Sequence, residues 1–286
     1  MDMQKRYARV PVAAVLAFVA FIATPASGQI AYDASVALNA RIIGQVDSAT
    51  FKRDKVVFSA DGSRVPALVA VPKNAKARHP VIVLVDGIGG WKERWWTPTS
   101  WNRGRVLIDS LLAAGFAVAM ADAPASGERT FENDFVTAES FVGNLPKWRN
   151  MGVKNAIETR RLIDYLVTRT DIDSARIGML GLSHGGMMTF ALAAIDPRIK
   201  GAVAGLTPLQ RIPEVLMPPL YAPLVRTPLL MLAGRTDSWY TREQVEAAFS
   251  AVAATDKKLV WYDVGHRVPE AYAGEAARFF ARVLGR

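Results

Sequence analysis

From position 81 onward, short apolar runs alternate with longer stretches of helical periodicity, and this alternation constrains the fold more than any other feature of the chain. The run Val81-Ile82-Val83-Leu84-Val85 is continuously apolar, as a strand buried on both faces requires. After it the pattern predicts a helix over 103–114, a strand over 116–121, a helix over 153–168 and a strand over 176–180. A helix over 185–195, strands over 199–204 and 229–233, a helix over 242–253, a strand over 259–263 and a last helix over 269–284 complete the series. Strands that alternate with helices predict an α/β fold, a mostly parallel central sheet with helices on both faces. Ahead of this, 55–60 and 64–71 alternate around Asp61-Gly62 and predict an antiparallel hairpin at the sheet's edge, and 31–50 reads as an irregular or partly helical lead-in. Ligands of such sheets bind beyond the carboxyl ends of the strands, so chemistry is sought in the loops that follow strands.

One such loop carries Gly181-Leu182-Ser183-His184-Gly185-Gly186, a G-x-S-x-G pattern set between a predicted strand and a predicted helix. The pentapeptide alone is a weak signal in a chain of this length. Its context is the stronger one, because a strand that ends in a tight turn opening a helix projects the serine hydroxyl above the sheet. A serine hydroxyl needs a base to become a nucleophile, and the chain has three histidines. His79 precedes Pro80 at the amino end of the sheet, away from the expected site. His184 belongs to the first helical turn and cannot easily take its neighbour's proton. His266, in Val264-Gly265-His266-Arg267, follows the last strand and faces the elbow, so it is read as the base.

The imidazole in turn needs a carboxylate on its other nitrogen to fix its tautomer and to stabilise the imidazolium. Asp237 closes Gly234-Arg235-Thr236-Asp237 after the preceding strand and is preferred; Asp263, close to His266 in sequence, is the rival. For the developing oxyanion, the backbone N–H of His184 is one expected donor and that of Ile88, with Gly89 next, in Asp86-Gly87-Ile88-Gly89-Gly90 the other, an ordinary tight turn being the alternative reading of this loop. Trp91, Trp95, Trp96 and Trp101 follow directly, and Trp239 lies two residues past Asp237. Trp91, Trp95 and Trp239 are the candidates for substrate contact, while packing of the loop against the body stands as the other reading. Asp122 to Glu128, with Ser126-Gly127, ends a further strand at the same edge and reads as a structural turn.

Taken together, these residues resemble the α/β-hydrolase superfamily, and in particular the hydrolases similar to dienelactone hydrolase and to the prolyl-oligopeptidase catalytic domain. The resemblance runs from about Lys55 to the C-terminus and rests on Gly181 to Gly186, Asp196-Pro197-Arg198, Gly234 to Asp237 and Gly265-His266. It implies the α/β-hydrolase fold with about eight strands. It also implies hydrolysis of a carboxylic ester, lactone or peptide through an acyl-enzyme, with no metal or cofactor. Two departures shape the expectation: Asp86-Gly87 stands where many lipases and esterases have His-Gly, and dienelactone hydrolases proper use a cysteine where this chain has Ser183. A general esterase is therefore expected, with a short-peptide or amide hydrolase, or a non-catalytic binding protein on the same fold, as alternatives.

The start of the chain carries Lys5, Arg6 and Arg9, an apolar run over 10–23 and small residues before Gln29. That pattern predicts a signal peptide over 1–28 and export to the periplasm or beyond; the run falls short of the roughly 18 residues a spanning helix needs, so no stable membrane anchor is expected after processing. Residues 29–286 then read as one catalytic domain, with proline-rich 207–227 as a cap or lid segment. The chain has no cysteine, which leaves no disulfides, no thiolate metal site and no lipid attachment of the lipoprotein kind. The formal charge of +9 is spread over scattered residues such as Arg41, Lys52, Arg64 and Arg149, so nucleic acid is not an expected partner and a small-molecule ester is.

Overall fold

The computed structural model describes residues 30–60, 62–74, 77–132, 145–209 and 216–285. The predicted signal peptide over 1–28, position 61 of the hairpin turn and 210–215 of the predicted cap lie outside them.

Among the described residues nine strands form one sheet: β1 (Arg41–Asp47), β2 (Phe51–Ala60), β3 (Ser63–Pro72), β4 (His79–Val85), β5 (Ala117–Ala121), β6 (Ile172–Leu182), β7 (Ile199–Gly205), β8 (Leu229–Gly234) and β9 (Lys257–Tyr262). Their spatial order is β1-β2-β3-β5-β4-β6-β7-β8-β9, antiparallel from β1 through β3 to β5 and parallel from there on. The hairpin is β2–β3, with Ala60 opposite Ser63, so the turn has the two residues its Asp-Gly signal called for. The ninth strand is β1, where the sequence predicted a lead-in without a strand. It has no buried face to write a period of two into its residues: six of its seven positions are exposed, and it is held by pairing with β2 and by the Asp47–Lys73 ion pair.

Among the described residues, five helices of ten or more residues cover the sheet, α1 (Gly104–Ala113), α2 (Leu145–Thr168), α3 (His184–Ile195), α4 (Arg242–Ala251) and α5 (Ala271–Leu284), and a single turn of helix lies at Pro218–Tyr221. The alternation of β4 separates two cores. Val81, Val83 and Val85 face a core shared with Ile163 of α2, Phe190 of α3 and Val245 of α4. Ile82 and Leu84 face the other, with Leu107 and Leu111 of α1 and Phe280 of α5. Each such fully buried side chain is worth on the order of 1.5–3 kcal/mol, and a strand with both faces covered is apolar at every position for that reason. Helix α3 is buried from His184 to Ala193, which explains why it shows no polar stripe. Among the described residues no helix is long and apolar enough to cross a membrane.

After β4 the chain passes through α1 to β5 on one side, and after β5 it returns through α2 to β6 on the other. The sheet therefore has its switch point at β4, and a crevice opens between the loops after β4 and β6. Those loops carry Asp86-Gly87-Ile88 and Ser183.

Candidate active site

Ser183 sits at the break between β6 and α3 with φ 57° and ψ −121°, a left-handed conformation that costs a non-glycine residue about 1–3 kcal/mol. Its backbone is held there by Ser183 N donating to Gly205 O at 2.8 Å and by Ser183 O accepting from Gly186 N at 2.8 Å. The flanking glycines are required by crowding. A Cβ on Gly181 would lie 1.9 Å from Gly185 O, and one on Gly185 would lie 2.1 Å from Val85 O. The turn closes on itself and against the end of β4, and the serine hydroxyl is pushed out above the sheet.

His266, on the loop between β9 and α5, brings Nε2 to 2.8 Å from Ser183 Oγ. Its Nδ1 lies 2.7 Å from Asp237 Oδ2. Asp237 follows β8 and is buried; its Oδ1 accepts from Trp239 N at 3.0 Å. Tyr240 buttresses this turn, its hydroxyl accepting from Gly234 N at 2.7 Å. Burial, and then the Asp237 carboxylate, hold the Tyr240 phenol well above its ordinary pKa. Asp263 is elsewhere: its side chain is 90% exposed and pairs with Arg235 at 2.9 Å. Direction decides between the two carboxylates, since Asp263 is nearer in sequence and points to solvent.

The other histidines lie outside this chain of contacts. His79 opens β4, buried, with Nδ1 3.3 Å from Gly115 O. His184, the first residue of α3, packs against Trp148 with ring centroids 5.1 Å apart. Ile88 lines the open cleft together with Ser183 and also a small cavity beside His184, so the two expected oxyanion residues lie at one place.

That open cleft, about 320 Å³, is walled by Gly87, Ile88, Trp101, Pro208 and Trp239 around Ser183 and His266. Trp101 stacks on the His266 ring at 5.9 Å between centroids and 9° between planes, and Trp239 lies 6.0 Å from it on a tilt. Trp239 thus lines the cleft, and two other tryptophans do not. Trp95 is 1% exposed, inside the core beneath α1, because the 3₁₀ turn Lys92–Trp96 rolls it inward. Trp91 is partly exposed beside that turn under the Arg94 guanidinium and is not a wall of the cleft. The sequence grouped four tryptophans in one loop, and only Trp101 of them reaches the imidazole.

Two further polar arrangements stand at this edge. Under the Gly87 turn, Asp86 Oδ1 accepts from Gly87 N at 2.8 Å, while Oδ2 accepts from Arg94 Nε and from Asn102 Nδ2 at 3.1 Å. Burial pushes the Asp86 carboxyl up, and Arg94 opposes that shift. Beyond it, Lys92, with no exposed side-chain surface, donates to Asp122 Oδ2 at 2.7 Å and to Glu128. Asp122 also accepts from the amides of Lys92 and Glu128, so the stretch 122–128 is the structural turn its glycine suggested. Among the described residues no group of three or more His, Asp or Glu is arranged to hold a metal ion.

A Ser183–His266–Asp237 contact chain above the carboxyl ends of a mostly parallel sheet defines the α/β-hydrolase class of serine hydrolases. Within that class the chain belongs to the dienelactone hydrolase family, whose model matches residues 65–277. It is 26% identical to the Escherichia coli (strain K12) protein named "Putative carboxymethylenebutenolidase" over 242 residues, covering 79% of this chain and 82% of that protein. Among solved structures, a cold-adapted esterase from an Arctic intertidal metagenomic library superposes with a TM-score of 0.70 at 21% identity, over 85% of this chain and 99% of that one. Acetyl xylan esterase 1 from Thermoanaerobacterium sp. JW/SL YS485 also gives 0.70, at 17% identity, over 96% of this chain and 99% of that one.

Proposed function

We propose that this protein is an exported serine hydrolase that cleaves carboxylic esters of small molecules through an acyl-enzyme. The observation that carries the reading is the pair of contacts on His266, 2.8 Å to Ser183 Oγ and 2.7 Å to Asp237 Oδ2, at the floor of an open cleft. In the first half-reaction His266 Nε2 takes the hydroxyl proton as Ser183 Oγ bonds to the carbonyl carbon. The charge that collects on the carbonyl oxygen is met by the backbone amides of Ile88 and His184. The carbon–oxygen bond to the alcohol then breaks, and the imidazolium returns the proton to the leaving oxygen. Water repeats the sequence on the acyl-enzyme, losing a proton to His266 as it attacks and releasing the acid as Ser183 recovers its own. Asp237, buried and held by the Trp239 amide, keeps Nδ1 protonated and stabilises the imidazolium. Family membership and the esterase neighbours support an ester as substrate, and the residues at 1–28 support export.

The test is labelling of the processed protein with a fluorophosphonate, with Ser183→Ala as control, followed by matched p-nitrophenyl esters and p-nitroanilides. Labelling confined to the chain with Ser183, and far faster turnover of esters than of anilides, is the expected result. Labelling of Ser183→Ala removes the nucleophile assignment, and faster anilide cleavage makes the protein an amidase. Expression in a bacterium with N-terminal sequencing checks export, with a start at or near Gln29 expected.

A further inference from the structure

The Asp86 carboxylate has no part in the contact chain of Ser183, yet it touches both sides of the centre. Its Oδ1 accepts from Gly87 N, one residue before the Ile88 amide. A Cβ on Gly87 would lie 3.2 Å from Ser183 Cβ and 3.0 Å from the Trp101 ring, so this glycine is wedged between nucleophile and indole. Asp86 Oδ2 accepts from Asn102 Nδ2 at 3.1 Å, in the residue next to Trp101. Asn102 is fully buried; its Oδ1 accepts from Gly104 N at 3.0 Å and its backbone carbonyl accepts from Tyr272 Oη. The same Oδ2 pairs with Arg94, whose guanidinium lies 5.7 Å over the Trp101 ring. Trp101 in turn stacks on His266.

We propose that Asp86 is a positioning residue that sets the two walls of the reaction centre together, the Gly87–Ile88 peptide on the oxyanion side and Trp101 against His266 on the base side. The inference rests on the serine-hydrolase reading above. A backbone donor stabilises a transition-state oxyanion only if it is held in place before the reaction, since a donor that must reorient spends the gain on reorganisation. Gly87 has no side chain to pack; its carbonyl accepts from Gly90 N at 3.0 Å, and the Asp86 carboxylate holds its N–H from behind. A buried carboxylate near a developing anion would by itself oppose catalysis, and Arg94 balances its charge. This accounts for the departure at Asp86-Gly87, where the sequence differs from the His-Gly of many esterases: the turn is braced by an ion pair from the following 3₁₀ segment.

The experiment compares Asp86→Ala and Asp86→Asn with the unchanged protein, after circular dichroism and melting have shown folded chains. It measures kcat and KM on p-nitrophenyl acetate and the rate of fluorophosphonate labelling. Asp86→Ala is expected to lower kcat and the labelling rate by on the order of 10²-fold with KM within about threefold, the size that loss of one ordered oxyanion donor reaches. Asp86→Asn retains an acceptor for Gly87 N and is expected to recover about tenfold of that loss. A folded Asp86→Ala chain with kcat within about twofold of normal, or a loss carried by KM alone, overturns the proposal. If Asp86→Ala does not fold, Asp86→Asn decides, since a tenfold lower kcat at unchanged KM supports the role and normal kcat refutes it. Failure of the underlying reading looks different, because then the unchanged protein is not labelled at Ser183 at all.

Discussion

Two clusters of ionisable side chains stand over the carboxyl ends of the same sheet, one around Ser183 and one around Lys92. Their residue types overlap and their hydrogen bonds are of similar length, yet they are built for opposite ends. Around Lys92 every charge is matched. The ammonium is enclosed by Asp122, Glu128 and Glu93, and Glu128 also takes Lys55 at 2.8 Å. Arg129, 1% exposed, binds Glu158 through two bonds of 2.6 and 2.8 Å. Burial works against the Arg129 charge, but Glu158 and Glu132 outweigh it and raise its pKa above the ordinary arginine value. Such a network pairs its buried charges from within and meets solvent at a partly exposed rim of Lys55, Glu93 and Glu128. Around Ser183 the chain of contacts runs from a buried carboxylate outward to an imidazole that is 26% exposed and a hydroxyl that opens on the cleft. On the proposed mechanism, the difference is between a relay that ends on the open cleft and a network whose buried members, Lys92, Asp122, Arg129 and Glu158, are paired within the cluster.

Breaking the open cluster has the largest expected effect. Ser183→Ala should lower kcat by roughly 10⁴–10⁶-fold with the melting temperature nearly unchanged, since removing a buried-edge hydroxyl leaves the packing intact. A kcat within tenfold of normal would remove Ser183 from the mechanism. Next, Asp237→Asn should cost up to about 10⁴-fold in kcat by favouring the wrong imidazole tautomer, while Asp263→Asn, at an exposed ion pair, should cost little. The double variant Ser183→Ala with Asp237→Asn should be about as slow as Ser183→Ala alone; measured on one p-nitrophenyl ester, additive losses would mean the two do not act as a unit.

Breaking the closed cluster should reverse the pattern. Lys92→Met leaves Asp122 buried without its counter-ion, held by the two backbone amides alone, which is expected to cost about 3–5 kcal/mol in urea unfolding while kcat per folded molecule stays within a few-fold. A large kcat loss at unchanged stability would tie Lys92 to the chemistry instead.

Acid sharpens the same contrast. Lys55 and Lys92 hold Glu128 below its ordinary value, and Arg129 and Lys154 hold Glu132 below its own, in each case against burial. A carboxyl whose folded pKa is depressed contributes stability above its unfolded pKa and loses it as pH falls through the folded one. The melting temperature should therefore drop as pH falls below about 4.5, and less steeply in Lys92→Met. An equal slope in the two would show that Lys92 does not set it.

The smallest effect is expected at the rim. Trp239 is partly exposed, so Trp239→Ala should raise KM for an aromatic ester about fivefold, on the order of 1 kcal/mol of partial burial, with kcat little changed. An unchanged KM would place the substrate on the Trp101 side.

By itself the sequence determined the α/β alternation, the strand–serine–helix junction and a histidine after the last strand, with Asp237 preferred to Asp263. These are written mostly in local pattern: a strand with two covered faces must be apolar throughout, and Gly181 is dictated by its contact with Gly185 O four residues on. Strand β1 was not legible, because a strand exposed on both faces leaves no hydrophobic period. The tertiary structure alone decided what depends on direction. It turned Asp237 toward His266 and Asp263 toward solvent, placed Trp101 on the imidazole and Trp95 in the core, and set Asp86 behind Gly87 with Arg94 as its counter-ion. Each of these choices depends on a rotation of one residue about the backbone or on a partner far along the chain, and spacing in sequence carries neither.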